Sequence, residues 1–274
     1  MSVDNRVGEI FISNEGCEFI IIEYNRNDDV LIEFQDEFKA TKRVTYKNCQ
    51  KGIVKNPYFR SVHGKGYVGE GEYKPTINNK QTIQYKYWYN CLTRCYHKDS
   101  LSRRGTYENC YVDEAMLNFQ NFAKWFDDNY YEIDDEVMCL DKDILFKGNK
   151  VYSFESCIFV PQRINTLFLK SDAIRGNLPL GVYYREDHGK YIAQCNIVQN
   201  NKRTRKYLGS FNTSDEAFAI YKKFKEDYIK TVAKEYEGRI PKKLYDAMMV
   251  WEVEITDWGD NEWVLMKKKY FFQV

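Results

Sequence analysis

The sequence lacks the long apolar segments and the excess of charge that would each indicate a particular class of protein. No apolar run approaches the roughly 20 residues that a membrane-spanning helix needs, and the N-terminus shows no signal-peptide pattern. The net charge is only +1, so any binding of nucleic acid requires local basic patches. We therefore expect an intracellular protein with no membrane partner.

Closely spaced metal-binding pairs are also missing. Eight cysteines occur without a Cys-x-x-Cys spacing, and histidine occurs only three times. Inside a cell these thiols are expected to be reduced and mostly buried as small apolar groups, so a zinc site is not expected.

The 274 residues exceed one typical domain, and the 43% hydrophobic composition is that of a globular protein with two or three modules.

Short apolar runs through the first 60 residues predict strands. Val30, Ile32 and Phe34, for example, alternate with less apolar positions and share one face. We interpret residues 1–60 as a small β-barrel of the SH3 or Tudor type, through which a protein partner can bind. Residues 61–80 are rich in glycine and turn residues, and they predict a linker.

From residue 81 the hydrophobic spacing becomes helical. Tyr85, Trp88 and Leu92 recur at helical intervals, and residues 112–130 predict a second amphipathic helix. The aromatic stripe of these helices is interpreted as core. A basic edge beside them is a place where a DNA backbone can bind. The candidate phosphate contacts on this edge are Arg94, Arg103 and Arg104.

Strand, turn, strand and helix follow one another in residues 137–169. Residues 137–146 predict the first strand, residues 147–150 a hairpin turn and residues 151–160 the second strand. Pro161 suits the first position of the helix that follows. This order predicts a ββα unit, in which Asp141 lies on the first strand and Asn165 on the helix.

Several short motifs run through residues 81–172. They are Tyr87-Trp88, Arg94-Cys95-Tyr96, Leu140-Asp141-Lys142-Asp143, Gly148-Asn149-Lys150-Val151-Tyr152, and Val160-Pro161 with Asn165. With them the segment resembles the HNH-like nucleases of phages and mobile elements. The resemblance implies homing-type cleavage of double-stranded DNA, with Mg²⁺ or another divalent metal bound by Asp141 and Asn165. Such an ion neutralises charge on the scissile phosphate during hydrolysis.

Two positions depart from the HNH pattern. Lys142 stands where these enzymes have their general-base histidine, and Ser156 stands where they have the middle asparagine. An ammonium group is a poor base at neutral pH. The catalytic candidates are Asp141, Lys142 and Asn165. The alternative is a nuclease scaffold that binds DNA without cutting it.

The clearest pattern lies in residues 178–233, where three short strands precede one amphipathic helix. The predicted strands are residues 181–185, 190–198 and 205–211. Thr213 and Glu216 form a capping box at the start of the helix. Because so small a sheet cannot bury both faces, we expect the helix to cover one face and solvent the other.

Alternation along the second of these strands separates apolar from polar side chains. Tyr191, Ala193, Cys195 and Ile197 are predicted to face the helix. The outward face fits a major groove, where Arg reads guanine and Gln or Asn reads adenine. Its candidate DNA contacts are Tyr183, Arg185, Lys190, Gln194, Asn196, Arg205 and Tyr207. A merely solvated sheet face is the alternative.

Identity and spacing of aromatic, glycine and helix-cap residues carry a second resemblance. The motifs are Gly181-Val182, Lys190-Tyr191-Ile192-Ala193, Tyr207-Leu208-Gly209-Ser210-Phe211 and Thr213-Ser214-Asp215-Glu216-Ala217. With them residues 176–236 look like an AP2-type DNA-binding domain. The resemblance implies that duplex DNA binds to the sheet through the seven contacts named above.

Together the patterns predict an α+β protein of several modules. After the barrel and the linker come an HNH-like unit (81–172), an AP2-like domain (176–236) and a C-terminal helix and strand extension (237–274). The expected function is a phage-type DNA endonuclease in the host cytoplasm, if a phage encodes it. Two alternatives remain open, a non-catalytic DNA-binding or regulatory protein and a factor that inhibits host or defence proteins by binding them.

Overall fold

A computed structural model gives the fold of most of the chain. The described residues are 6–103, 107–168, 178–199 and 202–255. Helices and several small sheets are mixed along them, so the α+β class is confirmed. Two compact units divide the chain, residues 1–130 with 150–155 and residues 131–149 with 156–274. The finer division into five segments stays a prediction.

The first unit begins with a four-stranded antiparallel sheet and a short helix. These elements are β1 (Ile10–Ile12), β2 (Glu18–Arg26), β3 (Asp29–Phe34), β4 (Thr41–Val44) and α1 (Tyr46–Gln50). The strands pair in chain order, so β1 and β4 are the two edges. The predicted closed barrel is therefore wrong: the described strands form an open sheet.

Burial explains why this sheet does not close. Val30, Ile32 and Phe34 are fully buried on one face, as their alternation predicted. Cys49 of α1 and Val54 pack against that face. Because a helix and the segment after it already cover the apolar side, and both edge strands are short, further strand pairing is not needed to bury it.

Turns and one small hairpin connect the sheet to the helices that follow. The hairpin joins β5 (Thr76–Ile77) to β6 (Lys80–Gln81). Asn78 and Asn79 have positive φ angles of 49° and 61°, which a two-residue hairpin turn favours. Gly66 packs so closely on the next helix that an added Cβ would lie 2.4 Å from Leu92 Cδ1.

The helical part of the first unit contains four helices and one short strand. They are α2 (Ile83–Tyr96), α3 (Lys98–Arg103), β7 (Tyr111–Val112), α4 (Glu114–Leu117) and α5 (Phe119–Asn129). The single helix predicted for residues 112–130 is thus wrong. The side chain of Asn118 accepts a hydrogen bond from Gln120 N at 2.9 Å, which ends α4 and caps α5. Trp88, Phe119 and Phe122 are fully buried, so the aromatic stripe is core.

The predicted ββα segment has a different connection between its strands. Its elements are β8 (Met138–Asp141), β9 (Val151–Tyr152), β10 (Ile158–Pro161) and α6 (Gln162–Leu167). β8 and β10 pair antiparallel in the second unit, and α6 contacts both. The predicted simple hairpin is wrong, because β9 pairs in parallel with β7 in the first unit and residues 142–150 form bends and turns. Pro161 ends β10 and precedes α6.

Three strands and a long helix complete the second unit. They are β11 (Val182–Arg185), β12 (Lys190–Gln199), β13 (Lys202–Phe211) and α7 (Ser214–Glu235), followed by α8 (Lys242–Met249). The antiparallel order β11-β12-β13 has one irregularity, where Leu208 is an extra residue on β13 beside the Ala193–Gly209 pair. The three strands and the helix are confirmed.

The capping box at the start of α7 is confirmed too. Glu216 N donates to Thr213 Oγ1 at 3.2 Å, and the Glu216 carboxylate accepts from Thr213 N at 3.3 Å.

No helix in the described ranges is long and apolar enough to cross a membrane.

The strand predicted after α8 is wrong, because residues 251–255 form no strand. Side chains of α7 bind the backbone there instead. Glu226 Oε1 accepts from Val253 N at 2.8 Å, and Lys222 Nζ donates to Val253 O at 2.7 Å. These bonds satisfy the polar groups that a neighbouring strand would otherwise bind. The remainder of the predicted C-terminal extension, residues 256–274, lies outside the described residues.

Replacing Thr213 by alanine should lower the free energy of unfolding by about 1 kcal/mol, since the cap bond to Glu216 N is lost. Thr231→Ala on the same helix is the matched control. Its hydroxyl bonds only the carbonyl of Asp227 at 2.8 Å, and alanine has the higher helix propensity, so little loss is expected. Urea denaturation measures both, and equal losses would contradict the capping role.

Candidate nucleic-acid interface

The sheet of the second unit has α7 on one face and leaves the other face exposed. In its register Gln194 lies opposite Tyr207, and Asn196 lies opposite Arg205. Alternation places these side chains on the face away from α7, together with Tyr183 and Arg185 of β11 and Lys190 at the start of β12. Five of the seven predicted contacts are exposed, and Lys190 and Gln194 are half-buried.

The opposite face packs as the alternation predicted. Ala193 and Cys195 belong to a buried cluster with Ala217, Phe218 and Tyr221 of α7, and Tyr191 and Ile197 pack against that cluster. The burial of one apolar side chain on the outward face was not predicted. Ile192 lies opposite Tyr183 there and is only 4% exposed. The outward face therefore includes one buried apolar side chain, which lies in register between Tyr183 and Ser210.

Arg203 is an outward residue that sequence analysis missed. It lies opposite Val198 on β13 and is exposed, two residues before Arg205 on the same face. The prediction began the strand at residue 205, whereas β13 begins at Lys202. Extending the alternation from Arg205 by one step would have found it.

Basic side chains are concentrated in this sheet. Between Val182 and Phe211 the sequence has six basic and two acidic side chains, although the whole chain carries a net charge of only +1. The Arg185 guanidinium donates to both carboxylate oxygens of Asp187, at 2.9 and 3.0 Å, and these bonds lower the pKa of Asp187. Lys190 Nζ donates to Asn212 Oδ1. Such exposed pairs contribute little to stability, so both cations can exchange partners.

The predicted basic edge of the helical region is only partly described. Arg94 lies in the first unit, where it is half-buried and its guanidinium donates to the Tyr152 hydroxyl at 3.3 Å. The side chain of Arg103 and the whole of Arg104 lie outside the described residues. A DNA contact by these three residues stays a prediction.

Asp141 ends β8, and its carboxylate is bonded by the turn that follows. Its Oδ1 accepts hydrogen bonds from the backbone N–H groups of Asp143 and Ile144, both at 2.8 Å. Burial, together with the nearby charge of Asp143, raises the pKa of Asp141 to about 6. The carboxyl group is therefore a structural acceptor with a perturbed proton affinity.

Lys142, the residue at the expected base position, is buried in the same turn. Its Nζ donates to Asp143 Oδ2 at 3.1 Å and to Asn149 O at 2.8 Å. In return, Asn149 Nδ2 donates to Lys142 O at 2.7 Å. These bonds hold residues 142–149 together, so the geometry assigns the lysine a structural role in the turn.

The donors of this segment fit a divalent ion poorly. One oxygen of Asp141 already accepts two N–H bonds. Lys142 places a buried ammonium group in the same turn, and its positive charge repels a metal cation. Asn165 lies half-buried on α6. Across the described residues no group of three or more His, Cys, Asp or Glu side chains is placed to hold a metal ion. The metal site implied by the HNH resemblance stays a prediction.

The raised pKa of Asp141 predicts a pH dependence of stability. The folded state keeps a proton up to about pH 6 that the unfolded state loses near about pH 4, so the contribution of Asp141 to the free energy of unfolding falls as pH rises between these values. Asp141→Asn keeps an oxygen acceptor and cannot ionise. This variant should lose less stability over that range and exceed the wild type at pH 7 by roughly 1–3 kcal/mol.

Urea denaturation at several pH values from 4 to 7 tests this expectation. Asp135→Asn is the control, because it removes an exposed carboxyl group of the same unit. It should leave the pH dependence close to that of the wild type. If Asp141→Asn and the wild type lose stability in parallel, the carboxyl group is not buried and protonated as described.

Comparisons with protein-family models, with curated proteins and with solved structures found no match. The resemblances to HNH-like nucleases and to AP2-type domains therefore depend on the motifs alone. Local geometry distinguishes the two candidate sites. The sheet face exposes most of its polar side chains, whereas Asp141 and Lys142 are bonded within their own turn.

Proposed function

We propose that this chain binds duplex DNA through the outward face of the β11-β12-β13 sheet. The observation that carries the proposal is the register, which sets Gln194 beside Tyr207 and Asn196 beside Arg205 on an exposed face. Neighbouring strands lie about 4.8 Å apart, so three strands span about 10 Å. A major groove is about 12 Å wide and admits an α-helix or a two-stranded β-ribbon, and the backbone of a three-stranded layer is still narrower than the groove.

The basic and amide side chains on the face each have a possible partner in duplex DNA. Arg203 and Arg205 can donate two hydrogen bonds to guanine, and Gln194 and Asn196 can pair with adenine. Lys190 and Arg185 lie at the opposite end of β12, where a cation can contact a phosphate. In this proposal one end of the face reads bases and the other end contacts the DNA backbone.

Electrostatics support the same surface. The excess of basic over acidic side chains between Val182 and Phe211 gives the local attraction that the whole chain lacks. Arg185 already forms a bidentate pair with the Asp187 carboxylate. A phosphate offers the same two-oxygen geometry, so the guanidinium can exchange one anion for the other at small cost.

Adjacent residues of β13 give a matched pair of variants for this proposal. Arg205 is exposed on the outward face, whereas Lys206 Nζ lies 4.7 Å from the ring centroid of Phe224 on the helix side. Arg205→Gln should weaken binding about tenfold or more, because a base or phosphate contact is lost. Lys206→Gln removes the same charge from the other face and should weaken binding much less.

Fluorescence anisotropy with a labelled duplex at several salt concentrations measures both variants. Wild-type affinity should fall steeply with salt, because phosphate contacts release counterions. Equal losses in the two variants would show that charge alone, and not the outward face, determines binding. Absence of salt-sensitive binding would reject the proposal and leave the protein-interaction alternative.

DNA cleavage is a second candidate function, and the raised pKa of Asp141 favours it. A buried carboxyl group with a perturbed pKa is a common feature of catalytic sites. The bonds that hold Asp141 and Lys142 in one turn favour the non-catalytic alternative. DNA binding is therefore the function that the geometry supports best, with cleavage as a separate activity to be tested.

A plasmid-nicking assay with and without Mg²⁺ separates the two. If the chain is a nuclease, the wild type nicks in Mg²⁺, Asp141→Ala does not, and both bind DNA with similar affinity. The control Asp135→Ala removes an exposed carboxyl group and should cut like the wild type. Equal cutting by Asp141→Ala would reject the role of that residue, and no cutting by the wild type would leave DNA binding alone.

A further inference from the structure

Two of the three histidines lie side by side in the first unit. His63 belongs to a turn before the helical region, and His97 immediately follows α2. Their ring centroids are 5.2 Å apart, and the ring planes are inclined by 69°. Both side chains are half-buried, whereas His188, the third histidine, is exposed in the second unit. Folding thus pairs two imidazoles that are distant in the sequence.

Backbone bonds hold both histidines in place. The turn at His63 is closed by two bonds between Val62 and Gly66, each of 3.0 Å, and Gly66 packs against Leu92 of α2. His63 has a φ angle of 52°, in the left-handed region that few side chains adopt. His97 N donates to Thr93 O at the end of α2. The two rings are therefore positioned by the fold and not by contact with each other alone.

The Thr93 hydroxyl can fix the tautomer of His63. His63 Nε2 lies 3.0 Å from Thr93 Oγ1. When Nε2 carries the proton and donates to this hydroxyl, Nδ1 keeps its lone pair, as in metal-binding histidines whose second nitrogen is hydrogen-bonded. Burial, and then the neighbouring His97, lower the pKa of His63, which favours the neutral ring.

We propose that His63 and His97 form a binding site for one divalent transition-metal ion such as Zn²⁺ or Ni²⁺. A tetrahedral ion about 2.0–2.1 Å from one nitrogen of each ring places the two ring centroids about 5 Å apart. The observed 5.2 Å matches this separation. Imidazole nitrogens bind zinc, copper and nickel, whereas Mg²⁺ prefers oxygen. The site is therefore distinct in chemistry from an HNH-type Mg²⁺ site.

An aromatic ring flanks the histidine pair. The Tyr89 ring lies 5.3 Å from His63, measured between centroids. Two imidazoles fill only two of four tetrahedral positions, so water or another ligand completes the coordination. An ion bound in this way keeps exchangeable positions.

Isothermal titration with ZnCl₂ on the full chain tests the site. We expect one ion per chain, bound at least about tenfold more weakly by either His63→Asn or His97→Gln. Asparagine is chosen at position 63 because it tolerates a positive φ angle. Thr93→Val, which removes the hydroxyl beside Nε2, should also weaken binding, by about tenfold. His188→Gln removes the third imidazole and should bind like the wild type.

Two further measurements distinguish an ion held by the histidine pair from misfolding of the variants and from an ion held by cysteines. Circular dichroism must show that the variants fold, and DNA binding by His63→Asn and His97→Gln should equal that of the wild type, since the proposed interface lies in the other unit. Co²⁺ should give the visible absorption of a nitrogen-ligated ion without a thiolate charge-transfer band. Absence of saturable Zn²⁺ binding, or unchanged binding in both variants, would overturn the proposal and in the second case place the ion on cysteines.

Discussion

The second unit depends on α7, because the buried positions of this one helix belong to two apolar cores. Ala217, Phe218 and Tyr221 in its first half pack against the three-stranded sheet. Ile229 and Val232 in its second half pack with residues of α6, α8 and β10. Since α7, together with Val253, covers the apolar face of the sheet, the polar face can stay exposed. The exposed polar face is a consequence of this arrangement.

Local patterns in the sequence were sufficient for the sheet and its helix. The capping box involves residues three positions apart, and alternation along β12 identified the side that faces α7. Arg203 was missed because strand ends depend on pairing with the neighbouring strand. The open N-terminal sheet was mistaken for a barrel for the same reason, since alternation shows which strands exist and not whether β1 meets β4.

The surroundings of the candidate catalytic residues could not be predicted from the sequence. Motifs identified Asp141 and Lys142, but not the bonds from Asp143 and Ile144 or the burial of the lysine. The pairing of β9 with β7 was also hidden, because it joins segments far apart in the chain. The His63–His97 pair also joins residues that are far apart in the chain, and no spacing rule predicts it. Contacts that depend on tertiary packing limit such predictions.

The irregularity at Leu208 has a consequence for the shape of the proposed interface. An extra residue on one strand bends that strand and increases its right-handed twist. Arg203 and Arg205 lie on one side of this point, and Ser210 lies on the other. A coiled ribbon of this kind follows the winding of a double helix better than a flat one. In the proposed DNA complex this twist would help to set which base pairs the outward side chains reach.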